Sequence, residues 1–71
     1  MSKFNKTRVG KKAREVRERC GWSQTDVAAW SDIRGPRLCY IESGSRIASV
    51  EDLVKLSVTL RVTTDYLLGL K

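Results

Sequence analysis

The sequence predicts an all-α fold, a compact bundle of five short helices. Three observations lead there: apolar residues recur at three- and four-residue spacings, capping residues and glycines punctuate that pattern, and 71 residues suffice for one domain with one core. No strand and no internal repeat is read. The whole of residues 1–71 is taken as a single domain, with residues 1–6 as a flexible basic arm.

The first helix is read between Thr7 and Cys20, where Val9, Ala13, Val16 and Cys20 mark one helical face. Thr7 is its expected N-cap, and Gly21 can take the left-handed conformation that ends it. Ser23 then offers a second N-cap. Asp26 sits in the following first turn, and Val27, Ala28 and Ser31 form a narrow small-residue face for a helix over Gln24 to Ser31.

Asp32 to Gly35 make a short connection, and Pro36 suits the first position of the third helix, where a missing N–H costs nothing. Leu38, Ile41 and Glu42 share one side of that helix, leaving a polar face opposite. After Ser43-Gly44-Ser45, Ser49 and Asp52 form a capping box with the shorter acid. The fourth helix runs to about Leu60, with Val50, Leu53, Val54, Leu56 and Leu60 expected to be buried in part. Thr63 or Thr64 caps a last short turn through Leu68 before Gly69.

Charge gives the first functional indication. Fourteen Lys and Arg against eight Asp and Glu give +6 and an isoelectric point near 9.8, and eight of the basic residues precede position 20. A small basic domain suits a polyanion, although a solvated helix face would carry such charge equally well. No apolar run approaches the roughly 20 residues of a membrane span, and the polar, basic start reads as no secretory signal, so a cytoplasmic location is expected. With two cysteines, Cys20 and Cys39, and no histidine, reduced thiols are expected, with neither metal nor cofactor.

The stretch SQTDVAAWSDIRGPRLCYIESG, Ser23 to Gly44, resembles the helix-turn-helix of the Cro and lambda-repressor type, the XRE family. The likeness extends upstream through Val9-Gly10, Arg17 and Gly21. Downstream it continues through Leu53, Leu56, Leu60, Val62 and the terminal Asp65-Tyr66-Leu67-Leu68-Gly69. It implies a DNA-binding transcriptional regulator of phage repressor type, with the second helix on the DNA backbone and the third in the major groove.

Carried onto this chain, the resemblance makes Gln24 a phosphate contact and places Gly35, Pro36 and Tyr40 at base-reading positions, with Arg34 and Arg37 alongside. Arg37 is the expected specificity residue, since a guanidinium fork matches guanine O6 and N7. Arg34 and Arg46 are expected phosphate clamps, and Tyr40 is open between a phosphate and a thymine methyl. Arg17 and Glu42 match a charge pair that the family buries.

Three departures stand out. Asp32 occupies a turn position usually held by glycine, Gly35 and Pro36 replace longer polar readers, and Ala48 stands where proline is common. Readout is therefore expected to be sparse and aided by DNA shape.

The resemblance also implies a homodimer on a double-stranded operator, with a contact around Arg61 to Asp65. Trp22 is read as core. Trp30 is either partly buried against a neighbouring helix or a surface for a protein partner. The alternatives are an antitoxin or restriction-controller regulator on the same core, or a protein-interaction module that has lost DNA binding. An enzyme is disfavoured, because no histidine and no paired carboxylates offer acid–base chemistry.

Overall fold

Five helices build the chain, in the order α1 (Lys6–Arg19), α2 (Gln24–Ser31), α3 (Gly35–Ser43), α4 (Val50–Leu60) and α5 (Thr64–Leu68). The computed structural model describes residues 6–70, with side chains from Arg8 onward, and contains no strand among them. The basic arm expected over residues 1–6 lies outside the described residues, apart from the backbone of Lys6.

The helix boundaries follow local chemistry. Thr7 lies inside α1, so it is not the N-cap that its side chain suggested; α1 begins one residue earlier. At the other end Gly21 has φ +75°, and the N–H groups of Trp22 and Gly21 donate to the carbonyls of Arg17 and Glu18. This six-to-one and five-to-two pair satisfies carbonyls the helix leaves open. Ser23 caps α2 and Ser49 caps α4, and each donates its own backbone N–H in return to the carboxylate of an aspartate three residues on. Thr63 caps α5 through the N–H of Tyr66, and Gly69 closes it in the left-handed region.

Asp32 ends α2 at φ +59°, a conformation that aspartate tolerates better than branched residues do. α3 starts at Gly35, one residue before Pro36, and Arg34 at its N-cap makes no side-chain capping bond.

The core joins all five helices. Leu38, Leu56, Leu67 and Val27 are fully buried, and Val9, Ala13, Val16, Ala28, Ile33 and Leu60 close around them. Trp22 packs on the margin of this cluster and is only partly buried. Gly10 lies where α1 crosses α3. A Cβ there would run into the backbone carbonyl of Ile41, so the close approach requires glycine.

One expectation fails on α4. Leu56 and Leu60 are buried and Leu53 partly so, but Val50, Val54 and Val58 are 78%, 50% and 72% exposed. Both stripes are apolar at helical spacing, and only the neighbours decide which turns inward.

Candidate nucleic-acid interface

α2 and α3 meet at the left-handed turn of Asp32, where α3 anchors Leu38, Ile41 and Glu42 inside the molecule. That anchoring turns Arg34, Gly35, Pro36, Cys39 and Tyr40 to solvent. A shallow groove lined by Thr25, Ala29, Asp32, Arg34 and Gly35 joins the outer side of α2 to the start of α3.

Beneath this surface lies a charged knot. Arg17 on α1 donates from Nε to Glu42 Oε2 at 2.9 Å and from NH2 to Oε1 at 3.0 Å. Its remaining NH1 reaches the Trp22 carbonyl at 2.9 Å, which ties the end of α1 to the pair. Gln24 adds a third donor to Glu42, Nε2 to Oε1 at 2.9 Å. The Glu42 side chain is only 3% exposed, so these three bonds replace the water that its carboxylate has lost. The hydrogen bond to Glu42 raises the Arg17 pKa above its ordinary value against the opposing effect of burial. The pairing with Glu42 thus favours the charged form of Arg17.

Gln24, expected at a phosphate, donates one amide N–H to this knot, and its other amide N–H has no protein partner among the described residues. Its side chain is thereby held at the N-terminus of α2, where phosphate oxygens are favoured by unpaired backbone N–H groups.

Arg37 has a partner that sequence inspection missed. Its Nε and NH2 donate to Asp52 Oδ1 and Oδ2 at 3.2 and 2.6 Å, so the fork expected to face a guanine is occupied by a carboxylate of α4. The side chain remains 37% exposed, and NH1 has no protein partner among the described residues. Fifteen residues separate Arg37 from Asp52, and no local spacing announces such a pair. Asp52 was legible only as a cap.

Tyr40 is exposed, and Arg46 lies over its ring with the guanidinium carbon 5.8 Å from the centroid. One ring face is therefore covered by a cation, while the hydroxyl is left for contacts. Arg34 and Arg46 are themselves exposed and make no ion pair with described residues. No described helix is long and apolar enough to cross a membrane. No group of His, Cys, Asp or Glu among the described residues could hold a metal ion, and both cysteines are free and exposed.

A family model for helix-turn-helix domains matches residues 14–67, which takes in α2, α3, α4 and nearly all of α5. The chain belongs to the helix-turn-helix family, of XRE type. This family is one of DNA-binding transcriptional regulators and not of enzymes.

Among relatives of this helix-turn-helix domain, the HTH-type transcriptional regulator ImmR of Bacillus subtilis (strain 168) is 36% identical over 61 residues. That match takes in 86% of this chain and 48% of ImmR, so the chain spans about half the length of this relative. The restriction-modification controller protein C.AhdI from Aeromonas hydrophila superposes with a TM-score of 0.81 at 28% identity, over 86% of this chain and 92% of that one. The clp gene regulator ClgR from C. glutamicum gives a TM-score of 0.84 over 93% of this chain and 86% of its own, and at 21% identity it speaks for the fold alone.

Proposed function

We propose that this helix-turn-helix domain binds double-stranded operator DNA as a homodimer and represses transcription by occupying the site. The observation that supports it most is the division of labour on α3, where Leu38, Ile41 and Glu42 are buried while Arg34, Gly35, Pro36 and Tyr40 face outward as one surface. A helix fixed to its own core by one flank can present the other to a major groove without losing its packing.

In this reading Gln24, Arg34 and Arg46 hold phosphates and set the register on the duplex. Tyr40 reads or brackets a base at the outward centre of α3. With Gly35 and Pro36 offering no long side chains, much of the discrimination comes from DNA shape. Arg37 acts chiefly as a positioning residue, because Asp52 holds two of its three nitrogens. Its free NH1 contributes a single charge-assisted bond, which suits a phosphate oxygen better than the paired acceptors of guanine.

The likeness to C.AhdI supports a second reading, that of a restriction-controller protein using the same surface. A nuclease or methyltransferase gene beside this one distinguishes the two.

The test is selection from random duplexes, repeated with Arg37→Ala and Tyr40→Ala. The wild type should enrich a two-fold-symmetric motif. Its affinity should fall with salt at a log–log slope of about −0.9 per neutralised phosphate. Tyr40→Ala should relax one position in each half-site, whereas Arg37→Ala should weaken all sequences alike. No enrichment and no affinity at low salt would remove the reading.

A further inference from the structure

The start of α3 has room for a base reader but no side chain to do the reading. A Cβ placed on Gly35 would meet no atom within 4 Å, and Pro36 carries no hydrogen-bond donor. Arg37, the next residue, has the donors. Side chains on a helix lean back over the preceding turn, so an untethered Arg37 would lie over the bare Gly35-Pro36 surface. Its guanidinium is instead drawn sideways to Asp52 of α4.

We infer that Asp52 is a specificity-determining residue that acts through Arg37: by holding the guanidinium on α4, it keeps guanine reading out of a helix otherwise equipped for it. The inference rests on the DNA-binding reading above and concerns which bases that surface accepts.

The Asp52 carboxylate is positioned without help from Arg37. Its Oδ2 accepts the Ser49 backbone N–H at 2.8 Å and the Ser49 hydroxyl at 3.0 Å, and the side chain is 7% exposed. A carboxylate fixed in this way does not follow Arg37 toward a duplex.

The nitrogens engaged are the ones that matter. Both edges of a guanidinium that can offer two parallel donors include NH2, and NH2 lies 2.6 Å from Asp52 Oδ2, with Nε 3.2 Å from Oδ1. The fork can therefore be re-aimed at guanine O6 and N7 only by giving up this bond.

Giving it up strands the carboxylate. No other cation among the described residues pairs with Asp52, and Lys55 on the same helix is turned to Asp32 and Glu51. The penalty for leaving a buried charge unpaired offsets what a bidentate guanine contact would provide, so no base gains an advantage. Arg37 keeps NH1 for a phosphate oxygen, an acceptor that every sequence offers.

Selection from random duplexes with the full chain tests this, comparing the wild type with Asp52→Asn, Ser49→Ala and the double variant Asp52→Asn/Arg37→Ala, each checked for folding by circular dichroism. Asp52→Asn should acquire a preference for guanine at one position of each half-site, on the order of tenfold. The double variant should lack it. Ser49→Ala, which removes a capping hydroxyl but leaves the pair in place, should select the wild-type motif; a merely structural Asp52 would make both single variants less stable and change neither motif. In the wild type, the NMR signal of the Arg37 Nε–H should be the same with and without bound DNA, and this measurement decides alone if Asp52→Asn does not fold.

An unchanged motif in folded Asp52→Asn, a new guanine preference that survives Arg37→Ala, or an Arg37 Nε–H signal that moves on binding would overturn the inference and leave DNA binding intact. So would loss of a guanine preference in Asp52→Asn, which would make Asp52 a brace that aims Arg37 at the base. A wild type with no motif and no affinity at low salt is a different result, and it removes the DNA-binding reading together with this one.

Discussion

Arg37 and Asp52 join the first turn of α3 to the cap of α4 in one polar unit. The same Asp52 Oδ2 that takes the Arg37 NH2 also accepts the backbone N–H and the hydroxyl of Ser49, at 2.8 and 3.0 Å. The presentation of α3 to DNA is thus tied to the N-terminus of a helix that itself touches no DNA in the proposed complex.

This unit carries a pH signature. Burial pushes the Asp52 carboxyl up, but Arg37 and Ser49 together outweigh it and hold the group below its ordinary 3.8. A folded value below the unfolded one gives stability that is complete above the unfolded value and is lost as pH falls through the folded one. Asp52→Asn should therefore destabilise the protein near neutral pH by up to about 1 kcal/mol, because the amide still accepts from Ser49 but no longer pairs its charge with the part-exposed Arg37. The variant should also show a flatter decline below about pH 4 in urea unfolding. Parallel pH profiles for variant and wild type would remove the assignment.

Removing Arg17 leaves Glu42 buried with only Gln24 to satisfy it. Arg17→Ala should cost about 3–5 kcal/mol in chemical denaturation, the usual result of stranding one member of a buried pair. Adding Glu42→Gln should recover part of that loss, since an amide needs no counter-ion. Wild-type stability in Arg17→Ala would show the pair to be dispensable.

Gly10→Ala separates local propensity from tertiary contact. Propensity alone would make the alanine variant more stable by about 1 kcal/mol, because glycine is a poor helix former. The crossing with α3 demands the reverse. Insertion of a methyl group against the Ile41 backbone should lower the melting temperature, at a cost of about 1–3 kcal/mol or more. A rise in melting temperature would mean that α1 and α3 sit further apart.

If Arg34 and Arg46 are phosphate clamps, their loss should change how salt acts on binding more than which sequences are bound. Each alanine variant should reduce the log–log salt slope by about 1 and leave the selected motif intact. Fluorescence anisotropy over a salt series reads this directly. A changed motif with an unchanged slope would make the residue a base reader.

The helices were legible because their ends are written locally. Ser23 with Asp26, Ser49 with Asp52, Thr63, and the glycines at 21, 44 and 69 each settle a boundary within a few residues of chain. The buried flank of α3 was legible for the same reason, since Leu38 and Ile41 at helical spacing leave one side for Arg34, Pro36 and Tyr40. Thr7 misled because a good capping side chain says nothing about how far the preceding residues continue the helix.

Sequence by itself therefore determined the number and order of the helices, the turn between α2 and α3, and the identity of the outward face. All of these follow from interactions within about one helical turn. Only the tertiary structure decided that Asp52 takes the Arg37 fork, that Glu42 collects donors from α1 and α2, and that Val50, Val54 and Val58 rather than Leu53, Leu56 and Leu60 are left outside. Those outcomes depend on which groups are brought within bonding distance across gaps of 15 to 25 residues, and on which of two equally periodic faces meets another helix. Neither is encoded in the spacing of residues along one helix.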